Sequence, residues 1–186
     1  MKTAIVILAP GFEEIEAITI IDLLRRAGIN VTTASIAGKN ITGSHDITIK
    51  ADMLLEDLSK SEFDIVILPG GQPGSENLRN SDRVANLLQR QSDKNQLLAA
   101  ICAAPTVFEK AGLTTGKRVT SHPSEEGKFS ASDYKTDNVV LDGNIITSRA
   151  VGTAIEFSLF LIKMLCGENI ANEIAAKILF QKNKKL

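Results

Sequence analysis

The chain has 186 residues, of which 44% are hydrophobic and 23% charged, and its formal net charge is -1. This composition is typical of a globular domain and differs from that of disordered, fibrous or membrane proteins. A net charge near zero gives no bulk attraction to nucleic acid or to an acidic membrane, so we expect neither partner. The apolar start of the chain is typical of a first strand rather than a signal peptide, which predicts a cytoplasmic location.

Short apolar, β-branched segments alternate along the chain with longer segments of helical periodicity. The predicted strands are residues 4–8, 31–35, 64–68, 97–101 and 145–148. The predicted helices are residues 13–27, 81–91, 103–111 and 153–166. Most of the strand segments are continuously apolar, as in sheets that are covered on both faces. The alternation therefore predicts a doubly wound α/β fold with a mostly parallel sheet between two helical layers.

Two segments interrupt this alternation and carry turn residues in their middle. Residues 40–50 and 138–148 are predicted to form hairpins, and the charged segment 121–137 a surface helix and loop. No linker or repeat divides the chain, so we expect one domain over residues 1–186. Its basic end, residues 181–186, is predicted to be a frayed tail.

Three segments follow predicted strands and would meet at one edge of the sheet. They are residues 9–16, 69–74 and 102–105. In open α/β sheets, ligands bind beyond the carboxyl ends of the strands. We therefore expect the functional site where these three segments meet.

Cys102 is the sharpest candidate in these segments because it ends a strand and begins a helix. Backbone N–H groups at a helix start stabilise an anion, and the small Ala103 and Ala104 permit a tight turn that presents a nucleophile. Position alone leaves two roles open, a reactive thiol or a small buried hydrophobic side chain. The other cysteine, Cys166, lies in an apolar helix end and is assigned to the core.

Glu16 lies one helical turn beyond the first strand and is predicted to point inward beside Ile15 and Ile18. A buried carboxyl group has a raised pKa, stays protonated and can donate a hydrogen bond to a nearby thiolate. The alternative is an ordinary solvated acid in the first turn of a helix.

The remaining candidates are backbone groups and one histidine. Gly70 and Gly71 have no Cβ, so their N–H groups could approach a substrate oxygen. His122 could shuttle a proton, whereas His45 is expected to be merely exposed. Two histidines and two distant cysteines make no convincing zinc set, and no complete phosphate loop or dinucleotide motif is present. We therefore expect neither a metal nor a cofactor.

Four segments together resemble the DJ-1/ThiJ/PfpI superfamily, and the similarity extends from about residue 3 to residue 180. They are residues 7–16, 66–71, 99–105 and 147–149. The resemblance implies a flavodoxin-like homodimer in which the elbow cysteine bonds to a protonated glutamate. The family's positions fall on Cys102, Glu16, His122, Gly70, Gly71 and the N–H of Ala103. The expected dimer surface is the first helix with the hairpin at residues 40–50.

The resemblance also implies a function. Members are described as glyoxalases or deglycases that act on methylglyoxal and its adducts with proteins or nucleotides, and also as oxidative-stress sensors and chaperones. Peptidase and amidotransferase relatives pair a histidine with the elbow cysteine, and Ala103 in the next position lowers that alternative. The family's frequent Pro-Gly-Thr is replaced here by Val151-Gly152-Thr153, which puts the local loop shape in question.

Overall fold

The computed structural model of the protein describes residues 1–59 and 62–181. Its strands are β1 (Thr3–Leu8), β2 (Asn30–Ser35), β3 (Asn40–Thr42), β4 (Thr48–Lys50), β5 (Met53–Leu54), β6 (Ile65–Leu68), β7 (Leu97–Ile101), β8 (Arg118–Val119), β9 (Asp133–Tyr134), β10 (Val139–Asp142) and β11 (Ile145–Ser148). Its α-helices are α1 (Glu14–Arg26), α2 (Gly74–Arg79), α3 (Asp82–Asp93), α4 (Pro105–Lys110), α5 (Ala154–Cys166) and α6 (Glu168–Lys177).

Seven strands form the main sheet in the order β10-β11-β7-β6-β1-β2-β5. All neighbours are parallel except β10, which the hairpin with β11 makes antiparallel. The central strands β1, β6 and β7 are buried along almost their whole length, which explains their continuous apolar sequences. The predicted flavodoxin-like, doubly wound α/β fold is confirmed.

Each face of the sheet builds its own hydrophobic core, because alternate residues of a strand point to opposite faces. On β1, Ala4, Val6 and Leu8 pack into the cluster that contains α1, α5 and α6. Ile5 and Ile7 pack into the second cluster, against α2, α3 and α4. The two cores hold the carboxyl ends of the central strands at one edge.

The five predicted strands of the main sheet lie within one residue of their observed positions, and both predicted hairpins are present. The helix predicted at residues 103–111 begins only at Pro105, since the chain turns at residues 102–104. Between residues 121 and 137, the structure has a 3-10 helix at Pro123–Lys128 and the short strand β9. The helices α2 and α6 were not predicted.

None of the helices in the described part of the chain combines the length and hydropathy that spanning a bilayer requires. Of the predicted frayed tail, residues 182–186 lie outside the described residues.

Candidate active site

Cys102 occupies a sharp elbow between β7 and α4. Its φ of 65° lies in the left-handed region, which is uncommon for a residue with a side chain and is concentrated at functional sites. The elbow is held on both sides: the Cys102 N–H donates to the Ser148 carbonyl at 3.0 Å, and the His122 N–H donates to the Cys102 carbonyl at 2.7 Å. The predicted strand-to-helix elbow is therefore present, and the cysteine is half-buried on it.

Glu16 is fully buried at the start of α1. Its N–H donates to Oε2 of Glu13, which caps the helix, at 2.7 Å. Its own Oε2 accepts a hydrogen bond from the Gly70 N–H at 2.8 Å. The other oxygen, Oε1, is enclosed and has no hydrogen-bond partner among the described residues. A buried carboxyl oxygen without a donor is one that can itself carry the proton.

The packing predicted around Glu16 is wrong in one respect. Ile15 and Ile18 are 56% and 44% exposed, so they do not bury the carboxyl group. Glu16 lies instead on the buried face of α1 with Ile20, since residues four apart lie on the same side of a helix, and the adjacent Ala17 is also fully buried.

Burial raises the pKa of Glu16 to about 7, an effect that hydrogen bonds from Gly70 and Cys102 oppose. The Cys102 thiol therefore acts on the carboxyl group, although Oε1 has no contact with hydrogen-bond geometry.

The expectation of a depressed thiol pKa is not met. Burial, followed by the charge of Glu16 and a hydrogen bond to it, raises the pKa of the Cys102 thiol to about 12. Hydrogen bonds from the N–H groups of Ala103 and Gly71 act in the opposite direction. The helix start thus favours the thiolate as predicted, but burial beside a carboxylate outweighs it.

The two glycines after β6 allow close approach of different groups, Gly70 of Cys102 and Glu16 and Gly71 of the backbone after β1. A Cβ on Gly70 would lie 2.6 Å from Cβ of Cys102 and 2.7 Å from Oε2 of Glu16. Gly71 has a φ of +95°, and a Cβ there would lie 2.4 Å from the Glu13 nitrogen. The N–H groups of Gly71 and Ala103 reach the sulfur, whereas the Gly70 N–H, predicted to face a substrate oxygen, is taken by Glu16.

His122 joins this site through its backbone, and its ring contacts Ser124. Nδ1 lies 2.8 Å from Oγ of Ser124 and 3.3 Å from its nitrogen. Ser124 was not a predicted site residue. The sequence His122-Pro123-Ser124 contains a signal for this contact. Proline favours the first position of a helix, and the polar residue before it favours the N-cap, whose side chain accepts hydrogen bonds from the residues that follow.

A separate polar cluster joins the β3-β4 hairpin to the start of α1. Glu13, Glu14 and His45 each offer an atom within 4.8 Å of the others, a spacing that could hold a metal ion. The Glu14 carboxylate is already engaged, however, by the His45 N–H at 2.7 Å and by Nδ1 of His45 at 3.0 Å. His45 is exposed, as predicted, but it binds a buried acid.

Cys166 packs, half-buried, against the core at the end of α5, in agreement with its assignment. Two surface grooves of about 780 and 720 Å³ lie away from Cys102. One lies beside Pro10 and α3, and the other lies between α5 and α6. Neither groove is lined by Cys102 or Glu16.

Comparisons with known proteins agree with this geometry. A family model described as the DJ-1/PfpI family matches residues 2–164. Protein dj-1beta of Drosophila melanogaster is 46% identical over 187 residues, covering 98% of this chain and 99% of its own. The glutathione-independent glyoxalase DJR-1.2 of Caenorhabditis elegans is 36% identical over 176 residues, covering 93% of this chain and 94% of its own.

Solved structures show the same relationship. The crystal structure of Drosophila melanogaster DJ-1beta has a TM-score of 0.94 at 44% identity, covering 97% of this chain and 99% of its own. Oxidized DJ-1 of Toxoplasma gondii has a TM-score of 0.95 at 35% identity, covering 98% of this chain and 100% of its own. The family model and these relatives extend over nearly the whole chain, and the chain belongs to the DJ-1/PfpI family.

Proposed function

We propose that this protein is a cofactor-independent cysteine enzyme for small α-oxoaldehydes such as methylglyoxal, or for their adducts with proteins and nucleotides. The observation that carries the proposal is the half-buried elbow thiol of Cys102 beside the fully buried Glu16. A relative that is 36% identical is named a glutathione-independent glyoxalase, which supports the same reaction class. We place the reaction in the cytoplasm, where both free cysteines stay reduced.

The reactive form has the proton on Glu16 and the negative charge on Cys102. With a pKa of about 7, Glu16 is protonated in a large fraction of molecules near neutrality. Its protonation removes the carboxylate charge that raises the thiol pKa, and the new O–H can donate to the sulfur. The N–H groups of Ala103 and Gly71 then stabilise the thiolate.

The first chemical step joins the sulfur to the aldehyde carbon. The Cys102 thiolate attacks C1 of methylglyoxal, the C=O π electrons move to oxygen, and Glu16 gives that oxygen its proton. The product is a hemithioacetal, and Glu16 is left as a carboxylate. The N–H groups that hold the thiolate are placed to stabilise the oxygen as it becomes negative.

The second stage is an internal oxidation and reduction. Glu16 moves a hydrogen from C1 to C2 as a proton, and a second proton passes from the C1 oxygen to the C2 oxygen. This converts the hemithioacetal to a lactoyl thioester without any external oxidant. Water then cleaves the thioester, which releases lactate and one proton and restores the initial Cys102–Glu16 pair.

The proposal is tested by methylglyoxal consumption and lactate formation in the absence of glutathione. We expect Cys102→Ser to lower the rate by at least about 10³-fold, because it removes the nucleophile. The matched control is Cys166→Ser, which should retain the wild-type rate. Equal rates for the wild type and Cys102→Ser would refute the proposed enzyme.

A redox sensor or chaperone is the second candidate, since one neighbouring structure is described as an oxidized DJ-1. In this function, peroxide oxidises the Cys102 thiol to a sulfenic acid with release of water, and a second peroxide gives the sulfinic acid. Intact mass after mild peroxide should then show two added oxygens that Cys102→Ser lacks. Such oxidation together with negligible methylglyoxal turnover would favour the sensor over the enzyme.

A further inference from the structure

Glu13 lies directly before α1 and contacts both sides of the site. Its main-chain N–H donates to the carbonyl oxygen of Gly70 at 2.9 Å. Oε2 of its side chain accepts a hydrogen bond from the Glu16 N–H at 2.7 Å. The side chain is buried, with 9% of its surface exposed. Glu13 therefore joins the turn after β6 to the buried acid of the site.

The main-chain contact fixes a peptide group whose other end faces the sulfur. The carbonyl of Gly70 and the N–H of Gly71 belong to one planar trans peptide, so they point in opposite directions. Glu13 binds the carbonyl, and the N–H donates to the sulfur of Cys102. The second donor to the sulfur is held in the same way, because the carbonyl of its peptide accepts the His122 N–H at 2.7 Å. Both donors therefore depend on a main-chain contact behind them.

The side chain of Glu13 is an unusual helix cap. Serine, threonine, aspartate and asparagine are the favoured N-cap residues, because their side-chain oxygens reach the free N–H groups of the first turn. The longer glutamate does so here with a buried carboxylate, whose negative charge the start of a helix favours. A serine would cap the helix without burying a charge. Capping alone therefore does not explain a carboxylate at this position.

The charge of Glu13 acts on Glu16. Burial is the main cause of the raised pKa of Glu16, and the negative charge of Glu13 adds to it. In the described part of the chain, the ionisable groups that act on Glu16 are Glu13 and the Cys102 thiol. Oε1 of Glu13 lies 3.8 Å from Nδ1 of His45, whereas Oε2 of Glu14 lies at 3.0 Å from that nitrogen. The nearer partner of His45 is thus Glu14, and the charge of Glu13 remains available to act on Glu16.

We propose that Glu13 is a positioning residue of this site, which holds Glu16 in place by its carboxylate and keeps the proton on Glu16 by its negative charge. Two buried carboxylates that are close together repel each other, and protonation of Glu16 relieves this repulsion. Glu13 itself neither gives a proton to the substrate nor takes one from it. The kinetic part of this inference rests on the proposed function, whereas the effect of Glu13 on the Glu16 proton does not.

Glu13→Gln separates the charge from the cap. The glutamine side chain keeps an oxygen that can accept the Glu16 N–H, but it carries no charge. ¹³C NMR of the glutamate carboxyl groups follows the proton on Glu16, and the signal that Glu16→Gln lacks identifies this group. We expect Glu16 to lose its proton at a lower pH in Glu13→Gln than in the wild type. The same titration midpoint in both proteins would overturn the inference.

The pH dependence of methylglyoxal turnover measures the consequence for the reaction. Because the reactive form has its proton on Glu16, the decline of kcat/KM at high pH should begin at a lower pH in Glu13→Gln. Below that decline, the variant should stay within about tenfold of the wild type, since the cap is retained. Glu13→Ala also removes the cap and should lose roughly 10²-fold at every pH, as for other misplaced groups. An unchanged pH profile in Glu13→Gln, or a fully active Glu13→Ala, would overturn the positioning role.

Two variants away from the site provide the matched controls. Ser81→Ala removes the side-chain cap of α3, where Oγ accepts the Val84 N–H, and Glu76→Gln removes an exposed charge on α2. Both should keep the wild-type rate and pH profile. A shift of the profile in Ser81→Ala as large as that in Glu13→Gln would show a general effect of helix capping and would overturn the inference. A wild type that does not consume methylglyoxal would refute the proposed function, and the NMR comparison would still decide the role of Glu13.

Discussion

Glu16 is a carboxylic acid that is fully buried next to the thiol of Cys102. Its pKa of about 7 lies above the ordinary value of 4.5, and burial is the main cause. A folded state that binds the proton more tightly than the unfolded chain loses stability as the pH rises. The contribution of Glu16 is therefore fully present below about pH 4.5 and is lost as the pH rises through 7.

The pH dependence of stability should consequently change in Glu16→Gln, which cannot ionise. Between pH 5 and 8, we expect the wild type to lose up to roughly 3 kcal/mol of stability that the variant retains, because the carboxyl pKa is about 7 in the folded protein and 4.5 in the unfolded chain. Urea unfolding at several pH values measures this difference. Glu76→Gln, at an exposed position on α2, is the control and should follow the wild type. Parallel profiles for the wild type and Glu16→Gln would contradict the buried, protonated carboxyl group.

Gly70 is a second residue on which the site depends, because the added Cβ of any other residue would disturb it. Because a Cβ there would overlap both Cys102 and Glu16, we expect Gly70→Ala to force the two groups apart. Methylglyoxal turnover should fall by at least about 10²-fold, as for other misplacements of reacting groups. Gly152→Ala is the control, since a Cβ at that position meets open space. A fully active Gly70→Ala would show that the cleft is looser than the structure indicates.

At the scale of elements, a buried carboxylate joins the β3-β4 hairpin to α1. Glu14 accepts hydrogen bonds from the backbone of His45 and Ile47 and from the side chain of His45. Burial alone would raise its pKa, but these bonds together lower it to about 2. This depressed pKa means that the stabilisation is present above about pH 4.5 and is lost as the pH falls toward 2.

Glu14→Gln should therefore loosen the hairpin. An amide replaces one acceptor oxygen by a donor that faces other donors, so we expect a loss of about 2–3 kcal/mol and faster amide exchange across residues 40–50. Asp22→Asn on the same helix removes only an exposed i,i+4 ion pair with Arg26 and should cost less than about 1 kcal/mol. An unchanged rate of amide exchange in the hairpin of Glu14→Gln would show that Glu14 does not hold the hairpin to α1.

At the scale of the molecule, both faces of the sheet are covered, yet some large apolar side chains remain exposed. Ile15 and Ile18 on α1 and Ile47 in the hairpin each expose 44% or more of their surface. The hydrogen bonds of Glu14 hold the hairpin to α1, so these exposed side chains lie on two elements that contact each other. Exposed apolar groups on adjoining elements are typical of an interface.

We propose that α1 and the hairpin form the surface of a homodimer. Light scattering after size exclusion should give twice the 20.0 kDa chain mass, and Ile18→Lys should shift the mass toward the monomer. A charge at the centre of an apolar interface is costly because it loses water without gaining a partner. Leu179→Lys, at an exposed position after α6, should remain dimeric. A monomeric wild type, or a dimeric Ile18→Lys, would exclude this surface.

Much of the fold could be predicted from local sequence. The strand segments are apolar because both faces are buried, and the elbow at Cys102 and the turns after β1 and β6 could be placed from strand order alone. What the sequence could not supply were contacts between distant segments. Ile15 and Ile18 look like core residues, and only the packing of α1 shows that Glu16 occupies the inner face with Ala17 and Ile20.

The protonation of the site was likewise decided by the tertiary structure. A helix start predicts a stabilised thiolate at Cys102, and this local effect is present in the N–H groups of Ala103 and Gly71. Burial beside Glu16 opposes it, because desolvation and a second negative charge depend on what surrounds the sulfur from distant parts of the chain. The sequence by itself determined which segments end at this edge of the sheet, because strand order follows from local pattern. Only the packed interior decided which side chains meet there and which of them holds the proton, because both depend on burial.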